Sequence, residues 1–153
     1  MRAGVSALPC RGRGASAPAG NANRMKNRGY SAPEPSFWEY ELGGGWKVYA
    51  GKTAEDNDLL SLRFARDDDL WFHVHGQPGS HVLLRGPEGE AAVRVLIEQA
   101  AAIAAWHSKA RNGGTCSVDC TFARNVSKPR GVPAGTVEIR ESRKFRVKPG
   151  LPE

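Results

Sequence analysis

The pattern of apolar and polar positions changes character at residue 37. Residues 1–36 are rich in Gly, Ala, Ser, Pro, Asn and Arg, carry few large apolar side chains and show no periodicity. Such a stretch cannot bury enough surface to offset its ordering entropy, which predicts a disordered arm. Beyond it, residues 37–42 and 46–51 are short aromatic and β-branched runs on either side of Gly43-Gly44-Gly45, the pattern of a hairpin. Thr53 is placed to cap a short helix over residues 54–64, with Glu55 and Asp56 in its first turn and Leu59, Leu62 and Phe64 as its apolar face. Residues 70–75 alternate as a strand, Gln77-Pro78-Gly79 is a turn, and residues 81–85 form the next strand. Val93, Leu96, Ile97, Ala100 and Ala104 follow helical spacing and predict a long helix over residues 90–111, ended by Gly113-Gly114. Its alanines allow close approach to a sheet. A strand over residues 115–122 follows, then a basic loop to Gly135, then a second hairpin formed by residues 136–140 and 144–148.

The fold expected is therefore α+β: an antiparallel or mixed sheet of short strands with one long and one short helix. It occupies residues 37–153 and follows the basic arm. A chain of 153 residues suits one domain of ordinary size. Its longest apolar run, residues 100–106, falls far short of the roughly 20 residues of a transmembrane helix, which predicts a soluble protein. The arm lacks the apolar stretch of a secretory signal. It is Arg-rich and free of acids up to Glu34, as organelle transit peptides are, and a start at Met25 is an equally simple reading.

Charge adds a polarity that the apolar pattern does not show. The net charge is +6. Residues 1–36 carry six bases against Glu34 alone, net +5; residues 37–121 carry 8 bases and 12 acids, net −4; residues 122–148 carry 8 bases and 2 acids, net +6; Glu153 adds the last −1. Two basic ends around an acidic middle attract polyanions, and Lys and Arg contacts to phosphate supply most non-specific nucleic-acid affinity. The plainer reading is a solvated surface. Three cysteines, Cys10, Cys116 and Cys120, are odd in number and loosely spaced, which fits a reducing compartment better than a disulfide framework.

Candidate chemistry concentrates in two segments. Arg124-Asn125-Val126-Ser127-Lys128-Pro129-Arg130-Gly131 clusters bases with hydrogen-bonding side chains where proline and glycine prevent regular structure. Arg124 and Arg130 can hold phosphate bidentately and Lys128 as a point charge, with Asn125 and Ser127 adding neutral contacts. Arg143, Lys144 and Arg146 of the last hairpin would extend this track. In the second segment, Asp67-Asp68-Asp69 precedes Leu70-Trp71-Phe72-His73-Val74-His75. On a strand, Trp71, His73 and His75 share one face, where they could stack on bases as in RNA-binding sheets. The alternative is that Trp71 and His73 are hydrogen-bonded core residues. A metal site built from His73, His75, His81, Cys116 and Cys120 lacks any recognisable ligand spacing, and no metal or cofactor is expected. Ser61, Ser80 and Ser108 sit in no nucleophile motif, and His107 reads as a core histidine on the buried side of the long helix.

Several segments taken in order resemble a known family. They are Val48-Tyr49-Ala50-Gly51-Lys52 with Asn57-Asp58, then Asp69-Leu70-Trp71-Phe72-His73-Val74, then Pro78-Gly79-Ser80-His81-Val82. Ala100-Ala101, Ser108-Lys109-Ala110-Arg111, Val118 to Thr121, Lys128-Pro129 and Gly135-Thr136-Val137 continue the match. Together they resemble the NFACT-R domain over about residues 46–148, and the second and third blocks carry most of the specificity. The resemblance implies an RNA-binding domain without catalytic activity. It is the C-terminal part of large NFACT proteins, which bind stalled large ribosomal subunits and tRNA in ribosome-associated quality control. This chain shows no NFACT-N region, helix-hairpin-helix segment or coiled coil, so tRNA recruitment for C-terminal tailing is not assumed for it. Asn57, Asp69, Trp71, His73, Ser80, His81, Arg124, Lys128 and Arg130 occupy motif positions, and Asp69 and His81 could equally form a buried pair.

The expected function is thus a cytoplasmic RNA-binding module, with tRNA or ribosomal RNA as partner and a ribosomal protein as a further one. The expected contacts are Lys52, Trp71, His73, His81, Arg124, Asn125, Ser127, Lys128, Arg130, Arg143, Lys144 and Arg146. Two alternatives belong to other classes. One is a protein-docking domain acting through Asp56–Asp58 and Asp67–Asp69. The other is an enzyme acting on RNA or a nucleotide through the histidines.

Overall fold

The computed structural model describes residues 36–152. The disordered arm expected over residues 1–36 lies outside them, apart from Ser36. The fold is α+β. Strand β1 (Phe37–Gly43) turns into β2 (Trp46–Gly51) through Gly43, Gly44 and Gly45, all at positive φ (92°, 64° and 87°), a conformation that side chains with a Cβ resist. Helix α1 (Ala54–Leu59) follows, capped by Thr53, whose Oγ1 accepts from Asp56 N at 3.0 Å. It runs directly into a π-helical turn, Leu60–Phe64. The wider turn points Leu60 and Ser61 inward and leaves Leu62 exposed, so the buried face is not the Leu59/Leu62/Phe64 stripe expected of a regular helix.

Strands β3 (Leu70–Val74) and β4 (Val82–Arg85), helix α2 (Arg94–Trp106) and strand β5 (Cys116–Phe122) match the expected elements, with shorter helix ends. Residues 90–93 stay outside α2: Glu90 N closes a turn onto Pro87 O, and Val93 supplies no side-chain cap. At the other end, Ser80 N donates to His107 O, which draws the chain off the helix axis.

Six strands form one antiparallel sheet in the order β1-β2-β4-β3-β5-β8, where β8 is Arg143–Val147. β1 and β8 are its edges. The expected second hairpin does not form. Short strand β6 (Val126–Ser127) instead pairs with β7 (Glu138–Ile139), and β8 crosses over to pair with β5. Glu141, at φ 55°, makes the turn between them. The reason lies in the alternation of β8: Phe145 is opposite Val118 and Val147 opposite Cys116, so both side chains join the layer under α2.

The sheet has two apolar faces. Val48, Ala50, Phe72, Val74, Val82, Leu84 and Val118 pack beneath Ala100, Ala101, Ile103, Ala104 and Ala105, which are fully buried. The small side chains bring the helix close, as the alanine run predicts. On the other face Trp71 and Leu83 meet Leu60 and Ala123, with Phe37, Tyr49, Phe64, Val126, Val137 and Ile139 around them. The π-turn and the β6–β7 arm therefore cover one half of this face, and on the β5–β8 half Lys144 and Arg146 are exposed. No helix among the described residues is long and apolar enough to cross a membrane.

Candidate nucleic-acid interface

The two sequence blocks richest in polar and aromatic residues meet in a buried node, not on a surface. Trp71 and His81 are each only 2 % exposed. Trp71 Nε1 donates to Ser61 Oγ at 2.8 Å, and Ser61 Oγ lies 2.8 Å from His81 Nδ1. Ser61, accepting from the indole, keeps its own hydrogen for His81 Nδ1, which puts the proton of the neutral ring on Nε2. Burial, reinforced by the nearby His73, pushes the His81 ring down to about 4. His73 stacks on Trp71 at 6.0 Å and meets His81 edge-on at 5.4 Å, and burial lowers it as well. Trp71 and His81, both expected as nucleic-acid contacts, are therefore buried and hold the fold.

The same node fixes three chain segments. His81 N donates to Asn57 Oδ1 at 3.0 Å, Gly51 N to His81 O at 3.1 Å, and Ser80 Oγ to Gly51 O at 2.6 Å. Asp69 does not reach His81. It accepts Arg85 Nη2 at 2.7 Å and Arg66 N at 2.9 Å. The other acids are also engaged at home. Asp56 is buried, Asp58 accepts Gly135 N at 3.0 Å, and Asp68 pairs with Arg124 at 3.2 Å. Asp56, Asp58, Asp68 and Asp69 are thus held by groups of this chain, while Asp67 is exposed.

The basic loop is ordered around Lys128. Its Nζ donates to Pro133 O at 2.7 Å and Thr136 O at 3.2 Å, and lies 3.4 Å from Asp58 Oδ2. An ammonium has three hydrogens, and these partners account for them. Asn125 Nδ2 donates to Thr121 Oγ1, so it too faces inward. Arg124 lies over the Phe122 ring at 4.2 Å with one nitrogen on Asp68. Ser127 and Arg130 are exposed.

The β5–β8 half of the sheet face carries the remaining bases. His73 is opposite Asp119, Asp119 opposite Lys144, and Ser117 opposite Arg146, so these side chains share one face. Asp119 holds His75 Nδ1 at 3.0 Å and Lys144 Nζ at 3.5 Å. Lys144 and Arg146 are exposed. Arg143 lies opposite Cys120 and belongs to the other face. Cys120 is buried, and burial pushes its thiol up to about 12. No group of three or more His, Cys, Asp or Glu among the described residues could hold a metal ion.

A shallow groove of about 470 Å³ lies where β1, the start of α1 and the end of α2 meet. Lys52, the one expected nucleic-acid contact in this groove, sits with its Nζ 4.4 Å over the Trp38 ring. His107 stacks on Trp38 at 5.4 Å and 20°, and its Nε2 is hydrogen-bonded to Tyr40 Oη at 2.7 Å. It caps α2 instead of filling the core. Arg111 lies 4.2 Å over Trp106. The interleaving of Trp106-His107 with Lys109 and Arg111 is visible in sequence; only the fold brings Trp38 to it.

Comparisons with known proteins agree with this architecture. The sequence profile of the NFACT protein RNA binding domain matches residues 37–141. The chain is 39 % identical over 103 residues to the Rqc2 homolog RqcH of Bacillus subtilis and 35 % identical over 105 residues to that of Streptococcus suis. Each match takes in 67 % of this chain and only 18 % of the relative. The solved C-terminal part of the fibronectin/fibrinogen-binding protein of Streptococcus suis superposes with a TM-score of 0.69 at 31 % identity, covering 83 % of this chain and 50 % of that one. With more than half of its length matched by the profile, and with the sheet, the helices and the buried Trp71–Ser61–His81 node in place, the chain belongs to the NFACT RNA-binding domain family.

Proposed function

We propose that this domain binds RNA in ribosome-associated quality control, with tRNA or the large ribosomal subunit as its target and the cytoplasm as its compartment. The observation that carries the reading is the sheet face over β5 and β8, where Lys144 and Arg146 are exposed on the same face as the half-buried His73 ring, with Asp119 between. Exposed cations on a sheet face beside an aromatic ring suit phosphate and base contacts together. Arg130 and Arg124 at the rim of the loop extend the basic surface, with Ser127 between them. Lys128 and Asn125 support this surface from beneath by ordering the loop. Trp71 and His81 support it by holding β3 and β4 to α1.

The relatives are named Rqc2 homologs, and this chain spans about a fifth of their length. Their name supplies the quality-control context; the residues supply the RNA contact.

Binding of the purified chain to tRNA, to large subunits and to duplex DNA across a salt series tests the proposal. Affinity for tRNA or the subunit should exceed that for DNA and fall with salt. The triple change Arg130→Ala, Lys144→Ala, Arg146→Ala should flatten the salt slope by about 0.7–0.9 for each phosphate no longer neutralised. Equal weak binding to all three, or an unchanged slope in the triple variant, would overturn it.

A further inference from the structure

The groove beside Trp38 uses none of the loop or β8 residues. Lys52, Lys109 and Arg111 line it, and no Asp or Glu among the described residues does. Yet residues 37–121 hold 12 acids against 8 bases, so three of the eight bases have gathered where none of the twelve acids reaches. Flat rings alternate with these cations. Trp38 is 44 % exposed, an unusual position for the largest side chain of an edge strand. His107 backs it, and burial followed by the nearby Arg111 holds that imidazole down to about 4, so it contributes a neutral ring at physiological pH.

The floor is rigid. Gly79 and Ser108 form a bridge, Ser80 N donates to His107 O, and Lys109 N donates to Pro78 O. A Cβ on Gly79 would lie 2.6 Å from Ser108 Cβ, so glycine is what allows the two segments to meet. Asn57, fixed by His81 N, closes the wall on the α1 side.

An apolar ligand would strip water from three cations without replacing it. A small anion would leave the Trp38 face unused. A ligand that repeats a planar ring and a phosphate along a chain satisfies both, and single-stranded nucleic acid does so. A duplex hides its base faces and cannot use Trp38.

We propose that this groove binds a single-stranded RNA segment, with one base stacked on Trp38 and the flanking phosphates held by Lys52, Lys109 and Arg111. Entry of the base moves the Lys52 ammonium off the ring and toward a phosphate, a short swing for a flexible side chain. The proposal rests on the RNA-binding reading and adds to it a second, structurally separate contact for unpaired nucleotides.

The test compares a fluorescein-labelled RNA hexamer with a blunt RNA duplex and with tRNA, using the full chain. The hexamer should bind more tightly than the duplex. Trp38→Ala should weaken the hexamer about tenfold or more, as expected for removal of one base–aromatic stack. Trp38→Phe should restore most of that affinity. Lys109→Ala with Arg111→Ala should weaken it and flatten its salt slope. Each variant is checked for an unchanged thermal midpoint, and Trp38→Phe keeps the test informative should the alanine variant unfold. Hexamer binding that ignores both Trp38 changes, or a preference for the duplex, overturns the groove while tRNA binding through β8 stands. Failure of the wild-type chain to bind any RNA overturns both readings.

Discussion

Asp69 receives Arg85 on both carboxylate oxygens: Nε lies 3.1 Å from each, and Nη2 lies 2.7 Å from Oδ2. The pair is nearly buried, with side chains 4 % and 14 % exposed. Arg85 also donates to Phe64 O at 2.8 Å and lies over the Phe64 ring, so the ion pair fastens the end of β4 to the π-turn. Asp69→Asn keeps the shape and the bond from Arg66 N but leaves the guanidinium without its counter-charge. It should cost about 3 kcal/mol, the lower end for a broken buried pair because Phe64 O remains. Urea midpoints at constant slope measure it, and a loss under about 1 kcal/mol would show that the pair is not structural.

Gly79→Ala should destabilise by about 1–3 kcal/mol, because the methyl group meets Ser108 Cβ at 2.6 Å and Ser108 Cα at 3.1 Å. Ser108→Gly in the same chain makes room and should recover part of the loss. A double-mutant cycle reads this coupling. Purely additive effects would mean that Gly79 is required for a reason other than the close approach.

Stability should fall below about pH 6.5. The His81 ring is held down to about 4 in the folded chain, against the ordinary 6.5 when unfolded. Between these values the unfolded chain binds a proton that the folded one refuses. The contribution is complete above pH 6.5, declines by up to about 1.4 kcal/mol per pH unit, and is gone near pH 4. Titrating the ring by NMR beside urea midpoints at pH 7.5, 5.5 and 4.5 checks both ends. A ring that titrates near 6.5 in the folded protein would contradict the buried node.

Lys128 and Arg130 should separate cleanly although they are two residues apart. Lys128→Ala removes the brace on Pro133 O and Thr136 O, so it should lower stability by about 1 kcal/mol and leave the salt slope of RNA binding nearly unchanged. Arg130→Ala should do the reverse, flattening the slope by about 0.7–0.9 with the thermal midpoint intact. Equal slopes for the two variants would show that Lys128 also reaches phosphate.

Local pattern reveals what local physics decides. Three glycines at 43–45 mark the first hairpin, alternation marks β3 to β5, and the alanine run marks a helix lying close on a sheet. The last hairpin is misleading in sequence because strand pairing is a long-range choice. Residues 136–140 and 144–148 are spaced as partners, but pairing with β5 places Phe145 and Val147 in the apolar layer beneath α2. For the site, the cations are legible in sequence but their duties are not. Lys128 and Arg130 look alike in a string, and only the carbonyls that surround Lys128 set them apart. Trp71 looks like a platform because its face of β3 is shared with exposed His75; the π-turn that covers it carries no distinct sequence signature. Trp38 escapes notice because His107, which stacks on it, and the cations Lys109 and Arg111 lie some seventy residues away.

Among the described residues strand β8 ends the sheet, so its outer N–H and C=O groups have no strand partner there and could recruit a strand from another molecule. Its alternating charges, Arg143, Lys144, Arg146 and the following Lys148, repel a second copy. Lys144 and Arg146, proposed to hold RNA, are thus also among the side chains that keep this edge from self-assembly. Variants that erase the charge to abolish RNA binding will tend to aggregate, and charge-conserving changes such as Arg146→Lys separate recognition from solubility.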